Sequence, residues 1–259
     1  MVQAERILEA FGRESGRSAF TVIDGPEGTW SGGVREDIPR PAASLLKLPL
    51  AMATEPRLPS LAAQRVGDLL SDRDDGSVLQ ALDPDRVLSP RELLRLMLST
   101  SDNPCARWAL RSVGREAVVA TVREAGAHDT AVEPDPDEPG MLRGRTTAVD
   151  AVALLRLSLD PERFPVTSSA LAHSIRNSRI PLGVTDSDVH VAHKTGTLAG
   201  VGHDVAHLRC REGDMWIAFL CEEQHDILVT GYQMGICTRG LLECFGLRVE
   251  RTVSAAVTT

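Results

Sequence analysis

Residues 205–221 read Val-Ala-His-Leu-Arg-Cys-Arg-Glu-Gly-Asp-Met-Trp-Ile-Ala-Phe-Leu-Cys. Two apolar, β-branched and aromatic runs, Val205 to Cys210 and Met215 to Cys221, flank Arg211-Glu212-Gly213-Asp214, which predicts a β-hairpin. A third run, Val189 to Lys194, precedes them, so the C-terminal part of the chain starts as a sheet. The N-terminal end matches it. Ser18 to Ile23 and Thr29 to Val34 flank the turn formers Asp24-Gly25-Pro26-Glu27-Gly28 and predict a second hairpin. Ile7, Leu8 and Phe11 put one apolar stripe on a helix over residues 3–13, and a final helix is expected from about Leu228 to Phe245.

Between these ends the pattern is helical from about Pro41. Ser89-Pro90-Arg91-Glu92 is a helix start with an N-cap serine, proline at the first position and a glutamate placed for a capping box. Leu93, Leu94, Met97 and Leu98 then face inward. Another helix begins near Thr147, with Val149, Val152, Leu155 and Leu159 expected to be buried. Before it, Val132 to Gly140 carries three prolines and four acids, and is expected to be a loop with no regular element. Strands and a helix at both ends around a helical insert define an α+β chain.

Bulk properties narrow the function. The net charge of -8 and the absence of any basic block exclude a nucleic-acid surface. The start, Met1 to Arg17, is acidic where a secretory signal is basic and no apolar segment follows, so a cytoplasmic protein is expected. No apolar run approaches a membrane span. Five cysteines, 105, 210, 221, 237 and 244, lack paired spacing and are expected to be small core residues. His190, His193, His203 and His207 do not form a compact ligand set on strands, and neither metal nor cofactor is expected. A monomer or homodimer acting on a small molecule fits these properties.

Lysine is the compositional anomaly. Of 28 basic residues only Lys47 and Lys194 are lysines, leaving 26 arginines. Arginine supplies charge but cannot serve as a base, whereas a desolvated lysine amine can be neutral near pH 7. Both lysines stand in chemically suggestive company. Ser44-Leu45-Leu46-Lys47 sets a hydroxyl and an amine on one helical face, so neutral Lys47 can take the Ser44 proton. Ser101-Asp102-Asn103 follows the capped helix. Ser101 could relay a proton to a leaving nitrogen, and Asn103 could donate to a substrate carbonyl while accepting from Lys47. Lys194-Thr195-Gly196-Thr197 ends a predicted strand: Lys194 and Thr195 suit a substrate carboxylate, Gly196 permits close approach, and the Thr197 and Ser44 amides could form an oxyanion hole.

These three motifs, in this order and over this length, resemble the serine β-lactamase and penicillin-binding protein family, class A branch. Arg179-Ile180-Pro181-Leu182-Gly183 also resembles the family's approach to its third motif. The resemblance implies a β-lactamase/transpeptidase-like fold: an α/β/α sandwich lobe with an antiparallel sheet from residues 1–40 and 185–259, an all-helical lobe from 41–184, and the site in the cleft between them. It implies a serine hydrolase that attacks a β-lactam or related amide or ester bearing a carboxylate. Tyr232 is the sole tyrosine and lies outside the motifs, which excludes a tyrosine base.

The chain departs from the family at the water-activating loop. Glu133 matches the family glutamate, but Asp137 stands where the family has asparagine and Ala131 where it has arginine. Glu133 as base, Glu138 as its replacement, and an acidic solvated turn are all open readings. So is the choice among hydrolase, cytosolic amidase, esterase or acyltransferase of a metabolite, and a non-hydrolysing binder or sensor.

Overall fold

A computed structural model describes residues 1–25, 28–71, 76–185 and 188–247. Pro26 and Glu27, the centre of the first predicted turn, lie outside the described residues. In chain order, α1 (Val2–Phe11) leads into β1 (Arg17–Gly25) and β2 (Gly28–Val34). Then come β3 (Arg40–Pro41), a 3-10 turn over Ala43–Leu46, α2 (Lys47–Thr54), β4 (Gln64–Arg65), α3 (Val66–Leu69), β5 (Val87–Leu88), α4 (Pro90–Ser99), α5 (Asn103–Val113) and α6 (Arg115–Glu124). β6 (Ala131–Pro134), β7 (Leu142–Thr146), α7 (Ala148–Ser158) and α8 (Pro165–Ala172) follow. β8 (His190–Leu198), β9 (Val201–Cys210), β10 (Gly213–Cys221) and α9 (Ile227–Cys244) close the described chain.

The main sheet has the order β2-β1-β10-β9-β8 and is antiparallel throughout. Chain ends therefore meet in space: Arg17 pairs with Cys221 and Asp24 with Asp214. Successive side chains on a strand point to opposite faces, and here both faces are covered. Met215, Ile217, Phe219 and Cys221 of β10 join Leu8 and Phe11 of α1 and Met234, Cys237 and Leu241 of α9 in one core. Ala218 and Leu220, on the other face, join a second core built from α2, α4, α5, α6, α7 and α8.

Local chemistry explains the helix that leads into the site. Ser89 Oγ accepts from the Glu92 amide at 3.3 Å and Glu92 Oε2 accepts from the Ser89 amide at 2.8 Å, a reciprocal cap worth about 1 kcal/mol. The Ser89 amide and the Ser89 hydroxyl, which donates to Glu92 Oε2 at 2.7 Å, hold the Glu92 carboxyl below its usual pKa. Leu93, Leu94, Met97 and Leu98 are buried, as the periodicity requires.

Three expectations need correction. The 132–140 segment is not wholly irregular, because Ala131–Pro134 forms β6 and pairs with β7, Glu133 opposite Arg143. β6 is an edge strand in the order β3-β7-β6, and an edge tolerates Pro134, whose missing N–H leaves no ladder bond broken. On α7, Val152 and Leu155 are buried but Val149 and Leu159 only half so, while Ala148, Ala151, Leu154 and Ser158 are buried as well. This helix is wedged between α2 and the sheet, so it has no single inward stripe. Among the cysteines, Cys105, Cys221 and Cys237 are buried while Cys210 and Cys244 are half-buried. Helices dominate residues 41–184, and that stretch also holds the small β3-β7-β6 and β4-β5 sheets.

Candidate active site

Ser44 lies in the 3-10 turn that leads directly into α2, and Lys47 is the first residue of that helix. Ala43 just before it has φ 49, a left-handed value uncommon for a residue with a Cβ. The turn is held from both sides. Ala42 N donates to Gly144 O of β7 at 2.8 Å, and Gly196 of β8 packs against Ala42 and Ala43. A Cβ at Gly196 would stand 3.2 Å from Ala43 Cβ and 3.4 Å from Ala42 O, so the absence of a side chain is what lets β8 close on the Ser44 turn.

Lys47 is only 3% exposed. Its amine donates to Ser101 O at 2.5 Å and Asn103 Oδ1 at 2.7 Å, and lies 3.4 Å from Ser101 Oγ. Burial lowers its pKa from 10.5 to about 8, against the opposing pull of the Asp102 and Glu138 carboxylates. Lys194, on β8 opposite Val205 of β9, is 1% exposed and donates to Ser101 Oγ at 2.9 Å and Thr195 O at 2.8 Å. Burial, then the neighbouring charge of Lys47, pushes its pKa well below the ordinary lysine value. The Ser101 hydroxyl thus bridges the chain's two lysines.

Ser101 has φ 63, so the loop that carries it is strained and needs an anchor. Asp102 supplies it. Buried at 4% exposure, its carboxylate accepts from Cys105 N at 3.1 Å, capping α5, and from Ser77 Oγ at 2.6 Å and Val78 N at 3.2 Å. Asn103 follows as the first residue of α5.

The third motif has its own support. Arg179 is buried, and its guanidinium donates to Gly196 O at 2.9 Å, to Thr197 Oγ1 at 2.7 Å and to His203 O. Arg176 donates to Thr100 O at 3.0 Å, tying the segment before β8 to the residue before Ser101. Sequence reasoning assigned no role to Asp102, Ser77, Arg176 or the Arg179 side chain. Arginine is so common in this chain that neither of these two stood out, and Ser77 is 25 residues from its partner.

The histidines serve as local hydrogen-bonding and stacking groups. His193 bonds Asp204 Oδ1 at 2.9 Å and Asn177 Oδ1 at 3.1 Å, His203 bonds Pro41 O at 2.6 Å, and His207 stacks on Trp216. Burial holds His203 at a pKa of about 4, neutral at pH 7. Among the described residues no cluster of three or more His, Cys, Asp or Glu side chains could hold a metal. Tyr232 projects from α9 and is 62% exposed.

Ser44, Lys47, Asn103 and Thr197, together with the 133–145 hairpin, line a cavity of about 470 Å³. The acidic loop lines this cavity while most of its residues remain exposed. Glu133 and Glu138 both line it. Glu133 is paired with Arg143 at 3.7 Å with its side chain 60% exposed, whereas Glu138 is paired with Arg107 at 3.5 Å with its side chain 44% exposed. Of the nine candidate residues, Ser44, Lys47, Asn103, Glu133 and Thr197 line the cavity, Ser101 and Lys194 adjoin Lys47 through the Ser101 hydroxyl, and Thr195 and Gly196 follow Lys194 on β8.

A profile of the beta-lactamase enzyme family matches residues 3–231. No curated protein matches the chain. Among solved structures, a beta-lactamase from Sphaerobacter thermophilus DSM 20745 has a TM-score of 0.79 at 22% identity, over 96% of this chain and 98% of that one. A class A beta-lactamase representing the last common ancestor of Gram-negative bacteria has a TM-score of 0.78 at 24% identity, over 95% of this chain and all of that one. At such identities the likeness carries the fold: helices packed on an antiparallel sheet.

Proposed function

The chain belongs to the beta-lactamase enzyme family, a hydrolase family, and from that premise we propose that it is a serine hydrolase acting on a β-lactam or related amide or ester through an acyl-enzyme at Ser44. Neutral Lys47 takes the Ser44 proton as Oγ bonds to the substrate carbonyl carbon. The bond from that carbon to the leaving nitrogen or oxygen breaks, and the proton passes through the Ser101 hydroxyl to the leaving group. Water then attacks the ester, the Oγ–carbon bond breaks, and Ser44 regains its proton. Lys194 and Thr195 hold a substrate carboxylate, Asn103 donates to the substrate, and the Ser44 and Thr197 amides receive the oxyanion.

The observation that carries this reading is the Ser101 hydroxyl, 2.9 Å from Lys194 Nζ and 3.4 Å from Lys47 Nζ. Burial is what holds Lys47 toward its neutral form, and burial together with the charge of Lys47 pushes Lys194 the same way; a neutral amine is the form a base requires. Water activation falls to one of the two cavity glutamates, Glu133 or Glu138.

A specific observation supports a second reading. Asp137 replaces the asparagine of the family pattern, and the Glu133 carboxylate is engaged by Arg143. An enzyme so altered could pass its acyl group to an alcohol or amine instead of water. Intact mass and absorbance, followed together after adding a chromogenic cephalosporin, separate the outcomes. Turnover at many equivalents supports the hydrolase, and a stable adduct on Ser44 that an added amine or alcohol discharges supports the transferase. Neither adduct nor turnover with cephalosporins, penicillins and activated esters would sink both.

A further inference from the structure

The cavity at Ser44 extends well past the reacting groups. Asn103, Ala106 and Leu110 all line it, and they stand at i, i+3 and i+7 on one face of α5. Leu46, at the end of the 3-10 turn, and Leu50 of α2 give a matching strip. Both helices start at the site, α2 with Lys47 and α5 with Asn103, so these faces carry the floor away from Ser44. From Asn103 to Leu110 the helix rises about 10 Å. This floor is apolar.

The wall opposite carries four carboxylates, of Glu133, Asp135, Asp137 and Glu138, and three of them are engaged. Glu133 pairs with Arg143 and Glu138 with Arg107, while Asp135 Oδ1 accepts from the amides of Asp137 at 2.9 Å and Glu138 at 3.2 Å. Met141 and Leu142 add apolar surface on the same side. Lys194 and Thr195, the groups assigned to the substrate carboxylate, lie outside this cavity, whose lining takes only Thr197 from their motif. A substrate anchored there by its leaving-group side would direct the other side of its carbonyl along the floor.

We infer that the extension is an acyl-chain pocket, and that the substrate carries on the carbonyl side of its scissile bond an apolar chain of about six to eight carbons, matched to the roughly 10 Å floor. The inference rests on the proposed acylation of Ser44. The whole cavity, reacting end and extension together, has a volume of about 470 Å³, within the range of roughly 300–1,000 Å³ typical of ligand pockets. Each methylene laid on such a floor raises kcat/KM about fourfold, until the chain outgrows it.

The test is kcat/KM of the full chain for p-nitrophenyl esters of straight-chain acids from two to twelve carbons, with Ser44→Ala as the blank. The expected profile climbs to a maximum near eight carbons and then falls. Leu110→Trp, which fills the far end, moves the maximum down by two or three carbons and leaves the acetate rate within twofold. Leu110→Ala moves it up, and so provides an independent reading should the tryptophan variant fold poorly. A flat or falling profile with turnover that still needs Ser44 overturns the acyl pocket and leaves the serine mechanism intact, and so does an unmoved maximum in Leu110→Ala. Absence of any Ser44-dependent ester turnover overturns both.

Discussion

Lys47→Arg isolates the base from its charge. Arginine keeps the cation beside Ser101 and Asn103 but holds its proton at every accessible pH. In the native chain Lys47 titrates near pH 8, so at pH 7 about one-tenth of it is neutral. Acylation should therefore rise about tenfold per pH unit below 8 and level off above it. The sign follows from the mechanism: the active form is the deprotonated amine, so activity is lost as pH falls through the lowered pKa. General-base assistance contributes about 10² to 10⁴ in rate, and the variant should lose that factor, about 3 to 5 kcal/mol of barrier, together with the inflection. The assay is the second-order rate of labelling by a serine-reactive phosphonate between pH 5.5 and 9.5, with thermal unfolding as a check on the fold. A Lys47→Arg chain that labels within tenfold of the native rate, or that keeps the inflection near pH 8, would refute the assignment of Lys47 as base.

Two further perturbations follow. Glu138→Gln removes a carboxylate that raises the Lys47 pKa, so the inflection should move to lower pH. Glu133→Gln should leave the inflection in place, and whichever of the two accumulates acyl-enzyme by mass identifies the water-activating group. Asp102→Ala leaves Ser77 Oγ, Val78 N and Cys105 N without their acceptor; at about 3 kcal/mol it should lower Tm by about 6 to 12 °C in a calorimetric scan. An unchanged Tm would show that the Ser101 loop is anchored elsewhere.

Much of this arrangement could be read from residue order because the chain uses lysine only where both motifs need it. Ser44, Lys47, Ser101, Asn103 and Lys194 were visible for that reason. The capped helix α4 was equally legible, since its signals are local. What sequence hid was non-local. β6 is a strand because β7 offers it an edge, and nothing within Val132 to Gly140 reveals that partner. The burial of α7 on nearly all sides reflects two layers meeting on it, while helical periodicity encodes only one. Asp102 carries no signal of its own between Ser101 and Asn103, because its partners Ser77 and Val78 lie far off along the chain. Arg179, one of 26 arginines, is set apart only by its burial against Gly196, Thr197 and His203.

The most direct test of the central claim is the mass of the chain after exposure to a serine-reactive phosphonate, followed by peptide mapping, for the native protein and for Ser44→Ala. The account predicts a single adduct on the peptide containing Ser44 in the native chain and none in the variant. A folded native chain that stays unlabelled, or an adduct that persists in Ser44→Ala, would contradict it.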